Sequence, residues 1–145
     1  MWILGHLALG YFSAFSVSKY TKEKIIIPVV WFFSMLPDFD EFFYRYIVHR
    51  GPSHSIIVAV IAFIPVLLIF RSGWAYFAAL ASHILIGDYF VPPTQMFWPF
   101  SRDWVGAPSV FQLTGVLETV VEVSLFALMA VVILHRRKLI LDSPG

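Results

Sequence analysis

The chain has 145 residues, 59% of them hydrophobic and 13% charged, with a formal net charge of +1 and a mean hydropathy of +0.81. Soluble domains average roughly 45–50% apolar and roughly 25% charged residues, so the composition excludes an ordinary soluble globule, and it excludes disorder, which needs low hydrophobicity. Ten basic against nine acidic residues give no electrostatic case for nucleic acid, and the lack of cysteine excludes disulfides, thiolate metal sites and a cysteine nucleophile.

Five apolar segments follow one another at 2–18, 25–37, 55–70, 74–90 and 110–134. A spanning helix needs about 20 residues, roughly 17–25. The first, fourth and fifth segments reach that length, the third nearly does, and the second is short, with Pro28 near its start where proline is tolerated. The first segment lacks the basic residues before it and the small-residue cleavage site after it that mark an export signal, and it carries His6; it reads as a retained helix. No repeat, low-complexity tract or long linker divides the chain, so 1–145 reads as a single domain. The expectation is an all-α, polytopic membrane bundle of about five helices. Ser109, with Gln112 three residues on, is the expected start of the last helix.

Basic residues orient the bundle. Lys19, Lys22, Lys24, Arg71, Arg136, Arg137 and Lys138 fall on one side of a five-span scheme; Arg45, Arg50 and Arg102 fall on the other. That bias predicts the N-terminus out and the C-terminus in. The outer connections are rich in aromatics (Phe42, Phe43, Tyr44 and Tyr46; Phe97, Trp98, Phe100 and Trp104), which favour headgroup depth.

Ionisable residues in apolar segments are costly and point to function. His6, Asp38, Asp40, His83, Asp88, Glu118 and Glu122 are of this kind, and the outer loop adds His49 and His54. The scheme places all of them in the outer layer, although it was oriented from Lys and Arg alone. Imidazoles and carboxylates ligate zinc, manganese and iron, and so many donors exceed one tetrahedral ion, so two ions are expected. Hydrogen-bonded pairs between helices are the plainer alternative. Asp38 and Asp40, at i and i+2, face one ion together only in a loop or 3₁₀ turn. Gly51-Pro52 makes a turn that brings His49 and His54 back together. Arg50 fits recognition of phosphate by a fork of donors, or equally the anchoring of a headgroup. Ser53 and Ser55 read as caps of the third helix. Glu118 lies about 13 Å into a helix begun at Ser109 and shares a face with Glu122; either is a general base, an extra ligand or a partner of Thr114 or another helix. His135, Asp103 and Asp142 read as surface or loop residues.

Pro37-Asp38-Phe39-Asp40, His49-Arg50-Gly51-Pro52-Ser53-His54-Ser55, Ser82-His83 leading to Asp88, and Phe97-Trp98-Pro99-Phe100 together resemble the membrane-bound metal-dependent hydrolases, the YdjM-like, LexA-regulated inner-membrane proteins of bacteria and archaea. His6 with Gly10 is similar to that family's N-terminal pattern, and the resemblance covers about residues 1–120. It implies a prokaryotic multi-pass hydrolase with metal ligands at His6, Asp38, Asp40, His49, His54, His83 and Asp88. A weaker similarity is to zinc-dependent phospholipase C enzymes. One departure stands out: where the family has His-x-x-x-Asp, His83 and Asp88 are one residue further apart. At i+5 the two side chains diverge by about 140° on an α-helix; a π turn at Gly87, or unwinding there, restores their alignment, and without either Asp88 is not a ligand.

The expectation is an integral-membrane hydrolase of a lipid or lipid-linked phosphoester at the outer leaflet of the cell membrane. Zinc or manganese is held by His and Asp, Arg50 holds a phosphoryl oxygen and Glu118 moves the proton. A metal-ion transporter or sensor and a non-catalytic membrane adaptor are the competing classes. Substrate, metal and oligomeric state are not legible in the sequence.

Overall fold

The computed structural model describes residues 3–43, 45–70 and 73–141. Trp2, Tyr44, Arg71, Ser72 and Asp142, all used in reading the sequence, lie outside the described residues. Within them the chain is all-helical, with five α-helices: α1 (Ile3–Thr21), α2 (Ile27–Met35), α3 (Ile56–Phe70), α4 (Trp74–Ser82) and α5 (Gly115–Leu141). An isolated bridge between Thr94 and Val105 is the sole β pairing among the described residues.

Each helix reverses the direction of the one before it. One end of the bundle carries the starts of α1, α3 and α5 and the C-terminal ends of α2 and α4; the other carries the α1–α2 and α3–α4 connections. Small residues let the helices approach closely. Ala14, Val30, Ala75 and Ala79 form one buried cluster across α1, α2 and α4. Ala8, Tyr11 and Met129 join α1 to α5, and Ala59, Phe63, Leu80, Ile84 and Met96 join α3 to α4 and the loop after it.

The connection end is held by a carboxylate and by cations over a ring. Glu23 accepts hydrogen bonds from the backbone N–H groups of Gly73 (2.9 Å), Trp74 (3.2 Å) and Ala75 (3.0 Å). These are orphan donors of the α4 N-terminus, and an anion there also meets the favourable end of the helix dipole. Lys19 and Arg136 lie 4.5 and 4.3 Å from the Phe15 ring centre, so the ends of α1 and α5 meet there.

Among the described residues one helical segment, Gly115–Arg137 within α5, is long and apolar enough to cross a membrane; Ile56–Leu68 and Trp74–Gly87 are apolar but shorter. α5 starts later than Ser109. Ser109–Phe111 forms a 3₁₀ turn and Gln112 is extended with ψ 133°, while the Gln112 amide donates to Ala107 O at 3.0 Å instead of closing a capping box. Glu118 therefore stands in the first turn of α5, not deep within it. Ser55 does cap α3, its Oγ accepting from Ile57 N at 3.2 Å and Val58 N at 3.4 Å.

Candidate metal centre

Irregular backbone builds the polar end of the bundle. α2 tightens into a 3₁₀ segment, Leu36–Phe43, and a second, Pro52–His54, precedes α3. α4 widens into a π turn over His83–Gly87, closed by Asp88 N donating to His83 O at 2.8 Å. This turn takes up the extra residue between His83 and Asp88 and brings Asp88 Oδ2 to 3.3 Å from His83 Nε2. Gly87 permits it: a Cβ there would lie 2.5 Å from the His6 ring. That ring is stacked on His83, with centres 3.7 Å apart and planes inclined by 14°.

His54 and His83 face each other through Nε2, and His49, His54 and His83 each have a partner at Nδ1. His83 donates Nδ1–H to Ser34 O at 2.6 Å. His54 Nδ1 lies 3.0 Å from Ser53 Oγ, and His49 Nδ1 lies 2.8 Å from Asp40 Oδ1. His54 Nε2 is then 3.4 Å from His83 Nε2. Asp38 Oδ1 stands 3.2 Å from the first of these nitrogens and 3.4 Å from the second. Asp88 Oδ2 stands 3.2 and 3.3 Å from the same two. A metal–nitrogen bond of about 2.0–2.1 Å at the tetrahedral angle separates ligand atoms by about 3.4 Å. Each carboxylate oxygen thus lies at the ligand–ligand spacing of a tetrahedral site from both nitrogens. Two facing imidazole nitrogens also need a cation or a proton between them, so the donor set fits a divalent metal.

His6 sits beside this set. Its Nε2 is 3.7 Å from Asp88 Oδ1, neither ring nitrogen has a hydrogen-bond partner, and the side chain is 1% exposed. A buried imidazole without partners is costly unless something else engages it. Ligand atoms of His6, Asp38 and His83, and likewise of Asp38, His49 and His54, also gather within 4.8 Å of one another.

Leu36–Phe43 is the 3₁₀ turn expected to let Asp38 and Asp40 face one ion, but it separates them. A 3₁₀ helix turns about 120° per residue, so i and i+2 point to different sides. Asp38 faces His54 and His83. Asp40 is buried on the other side, bonded to His49 Nδ1, accepting from Ser53 Oγ and 3.4 Å from His54 Nδ1. It belongs to none of the candidate metal groups, so the structure does not bring together all seven residues that the resemblance implies. Burial alone raises the pKa of Asp40; its bonds with His54, Ser53 and His49 outweigh that and hold it at about 2. Burial lowers the pKa of His54, but contacts with Asp38, Asp40 and Asp88 raise it above the usual imidazole value. Burial likewise opposes ionisation of Asp38, and its bonds to His54 and His83 bring it well below the usual carboxylate range.

A cleft of about 690 Å³ opens on this cluster; Asp38, His49, Arg50 and Glu118 line its polar side, and Phe39 and Phe42 its apolar side. Arg50 has a left-handed backbone with φ 62°, a strained state for a residue with a side chain. The loop after the π turn braces it: Gln95 N donates to Arg50 O at 2.9 Å, and Arg50 Nη1 donates to Pro92 O at 2.7 Å while lying 3.4 Å from Asp88. Glu122 is buried on α5 away from the cleft lining. The sequence reading missed Glu41, which lines the cleft 3.5 Å from His49 Nε2. It also missed Ser34, which acts through its backbone carbonyl, and Ser53 as a link between Asp40 and His54. A carbonyl partner leaves no trace in residue type; the acidic run Asp40-Glu41 was the available signal for Glu41.

An all-helical chain with a membrane-length helix and polar residues buried at one end belongs with integral membrane proteins. The family is explicit: the chain belongs to the YdjM inner membrane protein family, whose model matches residues 1–141. No curated protein and no solved structure matches it.

Proposed function

We propose that this protein is a metal-dependent hydrolase of the inner membrane that cleaves a lipid or lipid-linked phosphoester. The observation that carries this reading is the facing pair of His54 Nε2 and His83 Nε2, with Asp38 Oδ1 and Asp88 Oδ2 each 3.2–3.4 Å from both, behind a cleft that contains an arginine. That set would hold one zinc or manganese ion, and Asp38 with His49 would hold a second nearer the cleft. A bound dication supplies charge to a phosphoryl oxygen and acidifies water near neutral pH. Arg50 binds a non-bridging oxygen of the substrate. Glu118, on the cleft wall at the start of α5, takes the proton of the attacking water. Phe39 and Phe42 hold the apolar part of the substrate.

The lipid assignment rests on position. The cleft lies at the start of α5, about 30 Å of helix from the arginines at its far end. Phe42 on its wall, and Tyr46 and Phe100 in the connections at the same end of the bundle, are 80%, 87% and 86% exposed, as residues bathed in headgroups would be. We read the alternating helices as five crossings, with the shorter ones accommodated by local thinning. The lysine- and arginine-bearing end is cytoplasmic, and the site faces the extracytoplasmic side.

The test is phosphate or headgroup release from mixed phospholipid vesicles by purified protein, with and without zinc or manganese. Metal-dependent turnover is expected; ion flux without turnover would instead mark a transporter. A Ser101→Cys variant is expected to react with an impermeant thiol reagent from outside intact cells and a Ser72→Cys variant not to react. The reverse pattern inverts the topology.

A further inference from the structure

We propose that the connection end of the bundle binds the phosphate of an anionic phospholipid, between Lys19 at the end of α1 and Arg136 near the end of α5, around the Phe15 ring. Neither the metal centre nor the hydrolase reading enters this inference. The chain brings Lys19, Lys22, Lys24, Arg136 and Arg137 to this end, all of them exposed. Glu23 is the single acidic residue there among the described residues. Its two oxygens are occupied by the backbone N–H groups of Gly73, Trp74 and Ala75. Among the described residues no carboxylate is left at this end to neutralise the cations.

Two of these cations converge. Lys19 Nζ and Arg136 Cζ lie 4.5 and 4.3 Å from the centre of one ring, so the two charges stand within about a Debye length of each other, about 8–10 Å. The ring attracts each cation but carries no charge, and their mutual repulsion is offset only in part. An anion held by both removes it. Lysine supplies a point charge and arginine a two-pronged donor, a pairing that suits the oxygens of a phosphate. Depth names the source of that phosphate. Gly115–Arg137 has the length and hydropathy of a membrane span, so Arg136 stands where hydrocarbon gives way to headgroups. Tyr20 and Trp74, at the same end, are 88% and 51% exposed, as aromatics at that depth are. Basic residues contributed by two helices at this level are how anionic headgroups are recognised. The bound lipid clips the end of α1 to that of α5, which the cluster of Ala8, Tyr11 and Met129 joins further along.

The experiment is thermal unfolding of the full chain in neutral detergent with a metal chelator, so that no lipid is turned over. Phosphatidylglycerol, phosphatidylcholine or sodium phosphate is titrated into wild type, Lys19→Gln and Arg136→Gln. Lys24→Gln and Arg137→Gln serve as matched losses of one charge from the same end. Phosphatidylglycerol is expected to raise the wild-type midpoint to a plateau, less so at high salt, and phosphatidylcholine to leave it unmoved. Lys19→Gln and Arg136→Gln are each expected to weaken the apparent affinity about five-fold, and the two matched variants to stay close to wild type. Native mass spectrometry of the same samples counts the lipid retained and decides the matter where a variant shows no clear transition. Wild type is expected to keep phosphatidylglycerol that Lys19→Gln and Arg136→Gln release. Three outcomes overturn the inference: an equal response to phosphatidylcholine, an equal loss in all four variants, which marks a diffuse field, or the same shift with sodium phosphate, which marks a site for free anions. Failure of the protein to hydrolyse any phosphoester leaves this result standing.

Discussion

The two ends of the bundle solve opposite problems. At the connection end regular helices meet short loops, and a few partners suffice: Glu23 caps α4 and Phe15 receives Lys19 and Arg136. At the other end a 3₁₀ segment, a π turn and a left-handed arginine replace regular helix. They bring His54 and His83 within 3.4 Å of each other and Asp38 and Asp88 each within 3.4 Å of both. Departures from α geometry are tolerated where the freed polar groups find partners. The irregular end is thus organised around its side chains, and the regular end around its backbone.

The sharpest way to break that contrast is Asp38→Ala. Asp38 belongs both to the His6–His83 group and to the His49–His54 group, so the variant is expected to drop from close to two ions per chain to none. Elemental analysis of detergent-purified protein checks this; retention of both ions would take Asp38 out of the ligand set, and wild type without metal would make the cluster a hydrogen-bond network.

Arg50→Ala comes next. The guanidinium has no lone pair to give a cation, so metal is expected to stay while turnover of a phosphorylated substrate falls roughly 100- to 1,000-fold, the scale for one lost transition-state donor. Lysine at this position is expected to restore part of it, as a point charge without the fork. Metal content and turnover are to be measured on one preparation. Full activity with metal retained would reduce Arg50 to an anchor, and loss of metal would make it a brace of the loop.

Gly87→Ala probes how finely the irregular end is packed. Its Cβ would meet the His6 ring at 2.5 Å, and that ring is pinned against His83. Overpacking of this kind costs about 1–3 kcal/mol. A lower midpoint of thermal unfolding in detergent and reduced metal affinity are expected together, because His6 must leave its place.

The smallest effect is expected at the regular end. Glu23→Gln keeps an acceptor but removes the charge from the α4 N-terminus, a change of about 1 kcal/mol. Unfolding is expected to shift slightly with metal stoichiometry untouched. Loss of metal in this variant would show that the two ends are not independent.

Much of the site was legible in residue types and order. Polar residues in apolar segments marked themselves, and the turn at Gly51-Pro52 does fold His49 toward His54, with ring centres 5.2 Å apart. The five-residue step from His83 to Asp88 left a π turn or local unwinding as ways to align them, and the π turn forms. The start of α5 was misjudged because Ser109 and Gln112 have cap chemistry, and nothing local says that Gln112 will turn to Ala107. Asp38 and Asp40 look alike in sequence; their roles separate only through what lies on either side of the 3₁₀ segment.

Membrane residence, helical class and the polarity of the two ends were determined by the sequence itself, because transfer free energies and charge bias accumulate residue by residue along the chain. Which carboxylate faces the His54–His83 pair and which braces His49 was decided by tertiary structure alone. His83 finds the Ser34 carbonyl across 49 residues and His54 finds His83 across 29. Hydrogen bonds and ligand sets depend on distances of a few tenths of an ångström between such remote segments, and those distances exist only once the helices have packed.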